Sequence, residues 1–164
     1  MKAGGHGLRE QIRLLWPLFV LIAAVFFLRL IIAAAGTPGW IVRLVSVTVT
    51  TSAAILLAVA LIHFRQAGGY AKVVVASFLL NAWAQLLIMG AILFTGITGI
   101  HNVYTYPEYA SVGPDPNQIR HLLGHLSGGV GLGTLEGAAE GCIVLWLLRM
   151  LLPVQTRNHN RDNG

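Results

Sequence analysis

The sequence predicts an all-α integral membrane protein, a four-helix bundle with both termini cytoplasmic. Three observations lead there. Hydrophobic residues make up 55% of the 164-residue chain and charged residues only 10%, whereas a soluble domain carries about 25% charged residues. The apolar residues fall in runs long enough to cross lipid, which takes about 20 residues. Lys and Arg gather in alternate flanks of those runs, the pattern that orients a helix with its positive end toward the cytoplasm.

The first span is expected at about residues 14–35, after Lys2, Arg9 and Arg13. A signal peptide is the competing reading, because Ala33-Ala34-Ala35 resembles a cleavage site. The apolar stretch is long for a signal core and Arg29 interrupts it, so a retained span is expected. Gly36-Thr37-Pro38-Gly39 then forms a tight turn. The second span, about 41–63, carries Ser46, Thr48, Thr50, Thr51 and Ser52, whose hydroxyls are expected to bond to their own helix backbone. Gln66-Ala67-Gly68-Gly69, flanked by Arg65 and Lys72, turns the chain into the third span at about 73–100. Connections this short make antiparallel neighbours.

An outer loop follows at 101–118. Its Tyr104, Tyr106 and Tyr109 suit the headgroup zone, where an apolar ring and a wet hydroxyl are both accommodated. Asp115 and Pro116 are expected to open the last helix as cap and first residue. The last span occupies about 119–152, and the polar tail 153–164, with Arg157 and Arg161, is expected to be disordered. Residues 1–164 thus read as one membrane domain in a lipid bilayer of the bacterial inner-membrane kind. The two halves do not echo one another, which argues against a transporter built from inverted repeats.

Several function classes recede on composition. The formal charge is +5, but no basic patch with interleaved aromatics accompanies it, so nucleic acid is not an expected partner. The single cysteine, Cys142, cannot form an intrachain disulfide and reads as a small apolar filler. No local Ser/His/acid motif marks an enzyme. The glycines of the last span fail as a dinucleotide fingerprint, since no strand precedes them. Trp16, Trp40 and Trp146 suit interfacial belts, and Trp83 lies further inside as a packing residue.

Chemistry is expected in the last span. Glu136 and Glu140 stand one helical turn apart in it. An acid at mid-bilayer costs about 2.5–3.5 kcal/mol on insertion scales, so it usually serves a function and finds a partner. Two ionised carboxylates on one face are mutually unfavourable, so the pair is expected to hold a proton or share a cation. At about 1.5 Å per residue Glu136 lies roughly 16 Å inward of His125. The third span runs the other way and carries Ser77, Asn81 and Gln85 at four-residue spacing. Depth counting sets Gln85 near Glu136 and Asn81 near Glu140, with Arg29 able to reach Glu136 or to snorkel outward. A proton, cation or small polar ligand is the expected occupant; the plainer reading is an interhelical hydrogen-bond clamp, such as contributes about 0.6–2 kcal/mol in lipid.

Gly129, Gly133, Gly137 and Gly141 form a second constellation, a small-residue stripe for close helix packing within the chain or across a homo-oligomer. His121 and His125 share a face near the outer end, and His101 ends the third span on the same side. Two imidazoles at this spacing can grip a transition metal with His101 as third ligand, or one can serve a haem; interfacial histidines bonded to water or loop backbone are the plain alternative. Glu108 and Asp115 could add oxygen. Eleven residues separate His125 from Glu136, close to three α-helical turns, so one continuous polar face is also expected. Three functions remain open: a buried polar site for a proton, cation or ligand; a metal- or haem-binding redox protein; and a structural subunit of a larger membrane complex.

Overall fold

A computed structural model describes residues 7–106 and 118–152. Its elements are α1 (Leu8–Ala34), α2 (Gly39–Leu44), α3 (Val47–Phe64), α4 (Tyr70–Thr98), α5 (Gln118–Gly124), a π-helical segment (His125–Leu132) and α6 (Gly133–Leu151). There is no strand among the described residues. Four helical stretches are long and apolar enough to cross a membrane: Leu8–Ala34, Gly39–Phe64, Tyr70–Thr98 and Ile119–Leu151. The helix opening expected at Asp115-Pro116, the oxygen donors Glu108 and Asp115, and the polar tail all lie outside the described residues.

The helices overlap the expected spans but are not bounded by them. α1 begins six residues before Leu14, because Arg9, Glu10 and Arg13 are good helix formers even though they are polar. The second apolar run is two helices, not one. Ser46 adopts an extended conformation and its Oγ accepts from the Val49 amide at 3.4 Å. It is thus an N-cap that restarts the helix after α2. The hydroxyls after it behave as expected: Thr50 Oγ1 donates to Ser46 O and Thr51 Oγ1 to Val47 O, each at 2.8 Å.

α4 is the central element. It packs against α1, α3, α5, the π segment and α6, whereas α1 and α6 lie on opposite sides of the α3–α4 pair. Small residues permit the close approach: Ala54 and Ala58 of α3 and Ala76 and Ala84 of α4 are all buried. Leu15 and Ile22 of α1, Val59 and Ile62 of α3, Leu80 of α4 and Leu145 of α6 fill the spaces between them.

Both ends of the bundle are tied by polar contacts. At one end, Gln11 Nε2 donates to Lys72 O at 2.7 Å and His63 Nε2 to Leu152 O at 3.0 Å. Arg149 lies over the Tyr70 ring there, 5.0 Å from its centroid. This end therefore gathers the start of α1, the α3–α4 turn and the end of α6. At the other end α4 stops at Gly99, whose φ of 71° a side chain would resist. Asn102 then pins the loop back onto α4, donating to Ala91 O at 2.7 Å and to Thr95 Oγ1 at 2.8 Å.

Candidate functional site

A polar stripe runs along the seam between α4 and the last helical stretch. Ser77, Asn81 and Gln85 project from α4 at four-residue spacing, with Ser77 fully buried and Asn81 8% exposed. They face the glycine stripe. Asn81 Nδ2 donates to Gly133 O at 2.9 Å and to Ser77 O at 3.1 Å. A Cβ on Gly133 would lie 3.0 Å from Asn81 Oδ1, and one on Gly129 would overlap the Gln85 amide. Lower in the seam, a Cβ on Gly137 would meet Ile55 Cδ1 at 2.6 Å and one on Gly141 would meet Val73 Cγ1 at 2.7 Å. The stripe is therefore occupied within the chain, by α3 and α4, and is not a free surface for another copy.

Gln85 has a different partner from the one depth counting suggested. Its Oε1 accepts from His125 Nδ1 at 2.8 Å. With an amide oxygen as partner, His125 Nδ1 is the donor in that bond. The His125 ring stacks on His121, with centroids 5.1 Å apart and planes at 27°. His101 is exposed and stacks instead on Tyr106. Among the described residues no three of His, Cys, Asp and Glu come together in a way that would hold a metal ion.

Glu136 and Glu140 stand outside this seam. Both are exposed on the flank of α6, and neither is bonded to Gln85, Asn81 or Arg29. The expected pairings of Gln85 with Glu136 and Asn81 with Glu140 are thus replaced by His125 and the Gly133 carbonyl. The cause lies within α6, where Gly133, Gly137 and Gly141 take the seam-facing side and leave the acids off it. The π-helical segment, His125–Leu132, separately shifts the acids relative to His125. Its i→i+5 bonding turns the chain less per residue than an α-helix does. Over eight residues the lag amounts to roughly a third of a turn, so His125 and Glu136 do not share a face. Within α6 the acids lie roughly 60–100° around the helix from Gly137, beside the seam and not on its floor. Gly128, Gly129 and Gly131 make the segment permissive, since no Cβ crowds the widened turn.

Arg29 is also placed differently. Its guanidinium carbon sits 5.2 Å from the centroid of the Tyr104 ring, and that ring stacks on Phe26 at 5.3 Å and 13°. Burial pushes the Tyr104 phenol up to about 12, with the nearby positive charge of Arg29 acting in the opposite direction. Tyr104 Oη and Arg29 Nε are buried without a hydrogen-bond partner among the described residues, as are Ser77 Oγ and Thr134 Oγ1.

Three ordering residues escape a reading by pattern: Asn102, Tyr104 and His63. Asn102 alone carries a signal, an amide side chain three residues past a helix-ending glycine. The other two depend on which helix lies beside them. No family model matches the chain, and neither a curated protein nor a solved structure matches it.

Proposed function

We propose that the chain is a multi-pass membrane protein, its termini cytoplasmic, that binds and exchanges a proton or a cation at Glu136 and Glu140, with the site closed by a neighbouring membrane helix. One observation carries this reading. Two carboxylates one turn apart lie exposed at the middle of the apolar helical stretch Ile119–Leu151. Facing hydrocarbon alone, two ionised groups there are strongly unfavourable, and intramembrane ionisable residues normally mark a proton, ion or partner site. Protonation, a shared cation, or a donor on an adjacent helix each relieves that energy. A second copy or another membrane subunit is the source of such a helix.

The seam supports the role indirectly. Asn81 and the glycines hold the last helix tightly against α4, so the acids stand on a fixed face. Mechanistically, a carboxylic acid exchanges its proton for a cation or a positively charged partner, which couples occupancy to protonation.

The test is modification by a hydrophobic carbodiimide, which adds to protonated carboxyl groups in lipid. Purified protein in phosphatidylcholine vesicles is treated over a pH series and the adduct read by mass spectrometry. Labelling is expected at Glu136 or Glu140 at one or more points of the series. The Glu136→Gln, Glu140→Gln double variant should lose it. An unlabelled wild type at every pH, or equal labelling of the double variant, rejects the site.

A further inference from the structure

We infer that the end of the bundle gathering the start of α1 and the α3–α4 turn holds a binding site for a phosphate-type anion, with an anionic phospholipid headgroup as its ligand. The observation is a cavity of about 470 Å³ lined by Glu10, Gln11, Arg13, Leu14, Ile62, Arg65, Ala67 and Lys72. It is independent of the glutamates, which lie half a bundle away on α6.

The charge balance favours an anion. Arg13, Arg65 and Lys72 contribute three positive charges and Glu10 one negative, a surplus of two. The cations come from three elements: α1, the residue that ends α3, and the first turn of α4. Arg13 and Arg65 carry planar forks suited to two oxygens of one phosphate. Lys72 adds a point charge in the first turn of α4, where the helix dipole also favours an anion. The α4 cap is Gly69, which offers no side chain to the first amides.

The walls favour a lipid over free phosphate. Leu14 and Ile62 form an apolar side next to the cations. A headgroup phosphate needs both surfaces, one for its oxygens and one for the glycerol and upper acyl carbons. Basic pockets between membrane helices are known to take such headgroups. The rim is also built to keep its shape. Buried Gln11 donates to the Lys72 carbonyl at 2.7 Å, which holds α1 against α4 beneath the cavity.

The experiment uses the full chain, purified in detergent and mixed with phosphatidylglycerol or phosphatidylcholine, with retained lipid counted by native mass spectrometry. Wild type is expected to retain phosphatidylglycerol preferentially, and raised salt should weaken retention. Arg13→Gln and Arg65→Gln should each weaken it by about fivefold, and the pair by more than tenfold. Both side chains are exposed, so the fold should persist, which circular dichroism checks. Arg43→Gln, at the opposite end, should leave retention unchanged. If millimolar inorganic phosphate displaces the lipid from wild type but not from the residue bound by the double variant, the anion pocket stands and accepts the free ion as well. Equal retention of both lipids by wild type, or unchanged retention in the double variant, overturns the proposal.

Discussion

At the scale of single residues, Tyr104 shows how a polar group can be held in an apolar setting by shape more than by bonding. Its ring is stacked on Phe26 beneath Arg29, while its hydroxyl has no hydrogen-bond partner among the described residues. The phenol is raised from 10.0 to about 12 by burial. An acid whose folded value is raised keeps its proton longer than the unfolded chain does. The stability linked to it is therefore complete below pH 10 and is lost as pH climbs to 12. Tyr104→Phe keeps the stack and removes the buried hydroxyl. Thermal unfolding followed by circular dichroism should show stability at pH 7 unchanged or raised by about 1 kcal/mol. The decline between pH 10 and 12 should be shallower than in wild type. A large loss at pH 7 would mean that the hydroxyl bonds to something essential.

At the scale of elements, the last helical stretch decides which groups meet. α5 and α6 are ordinary α-helix, and the glycine-rich π segment between them resets the phase. The glycines are not equivalent in consequence. At Gly141 an added methyl would lie 2.7 Å from Val73 Cγ1 and 3.1 Å from Val59 Cγ2, whereas at Gly124 it would meet nothing within 4 Å. Gly141→Ala should therefore destabilise the bundle by about 1–3 kcal/mol through overpacking. Gly124→Ala should be neutral or stabilise it by up to about 1 kcal/mol, since alanine is the better helix former. Unfolding midpoints in one detergent, measured side by side, check the order. Equal effects of the two substitutions would remove the close approach as the reason for the stripe.

At the scale of the molecule, four apolar stretches connected in sequence bring the start of α1 and the end of α6 to one end of the bundle, where Gln11, His63 and Arg149 tie it. In a membrane this end should be the cytoplasmic one, because Arg9, Arg13, Arg65, Lys72 and Arg149 all lie there. Cysteine accessibility tests this in a Cys142→Ser background, which removes the native thiol. Tyr106→Cys in intact cells should react with an impermeant maleimide. Arg65→Cys should react only after the membrane is opened. The reverse pattern would invert the topology.

The sequence by itself determined the helical class and the four long apolar stretches, because both rest on the local demand that backbone groups in apolar surroundings bond within their own segment. It also marked the polar stripe of Ser77, Asn81 and Gln85 and the glycines that face it, since four-residue spacing is a property of one helix. What it could not supply is the rotation of one part of a helix relative to another. An α-helical wheel puts His125 and Glu136 together; the π segment separates them. Only the packed structure decided that Gln85 meets His125, that Arg29 meets Tyr104, and that Glu136 and Glu140 turn outward. The physical reason is that the contacts between helices depend on the winding and rotation of each, and neither is written in the periodicity of one helix alone.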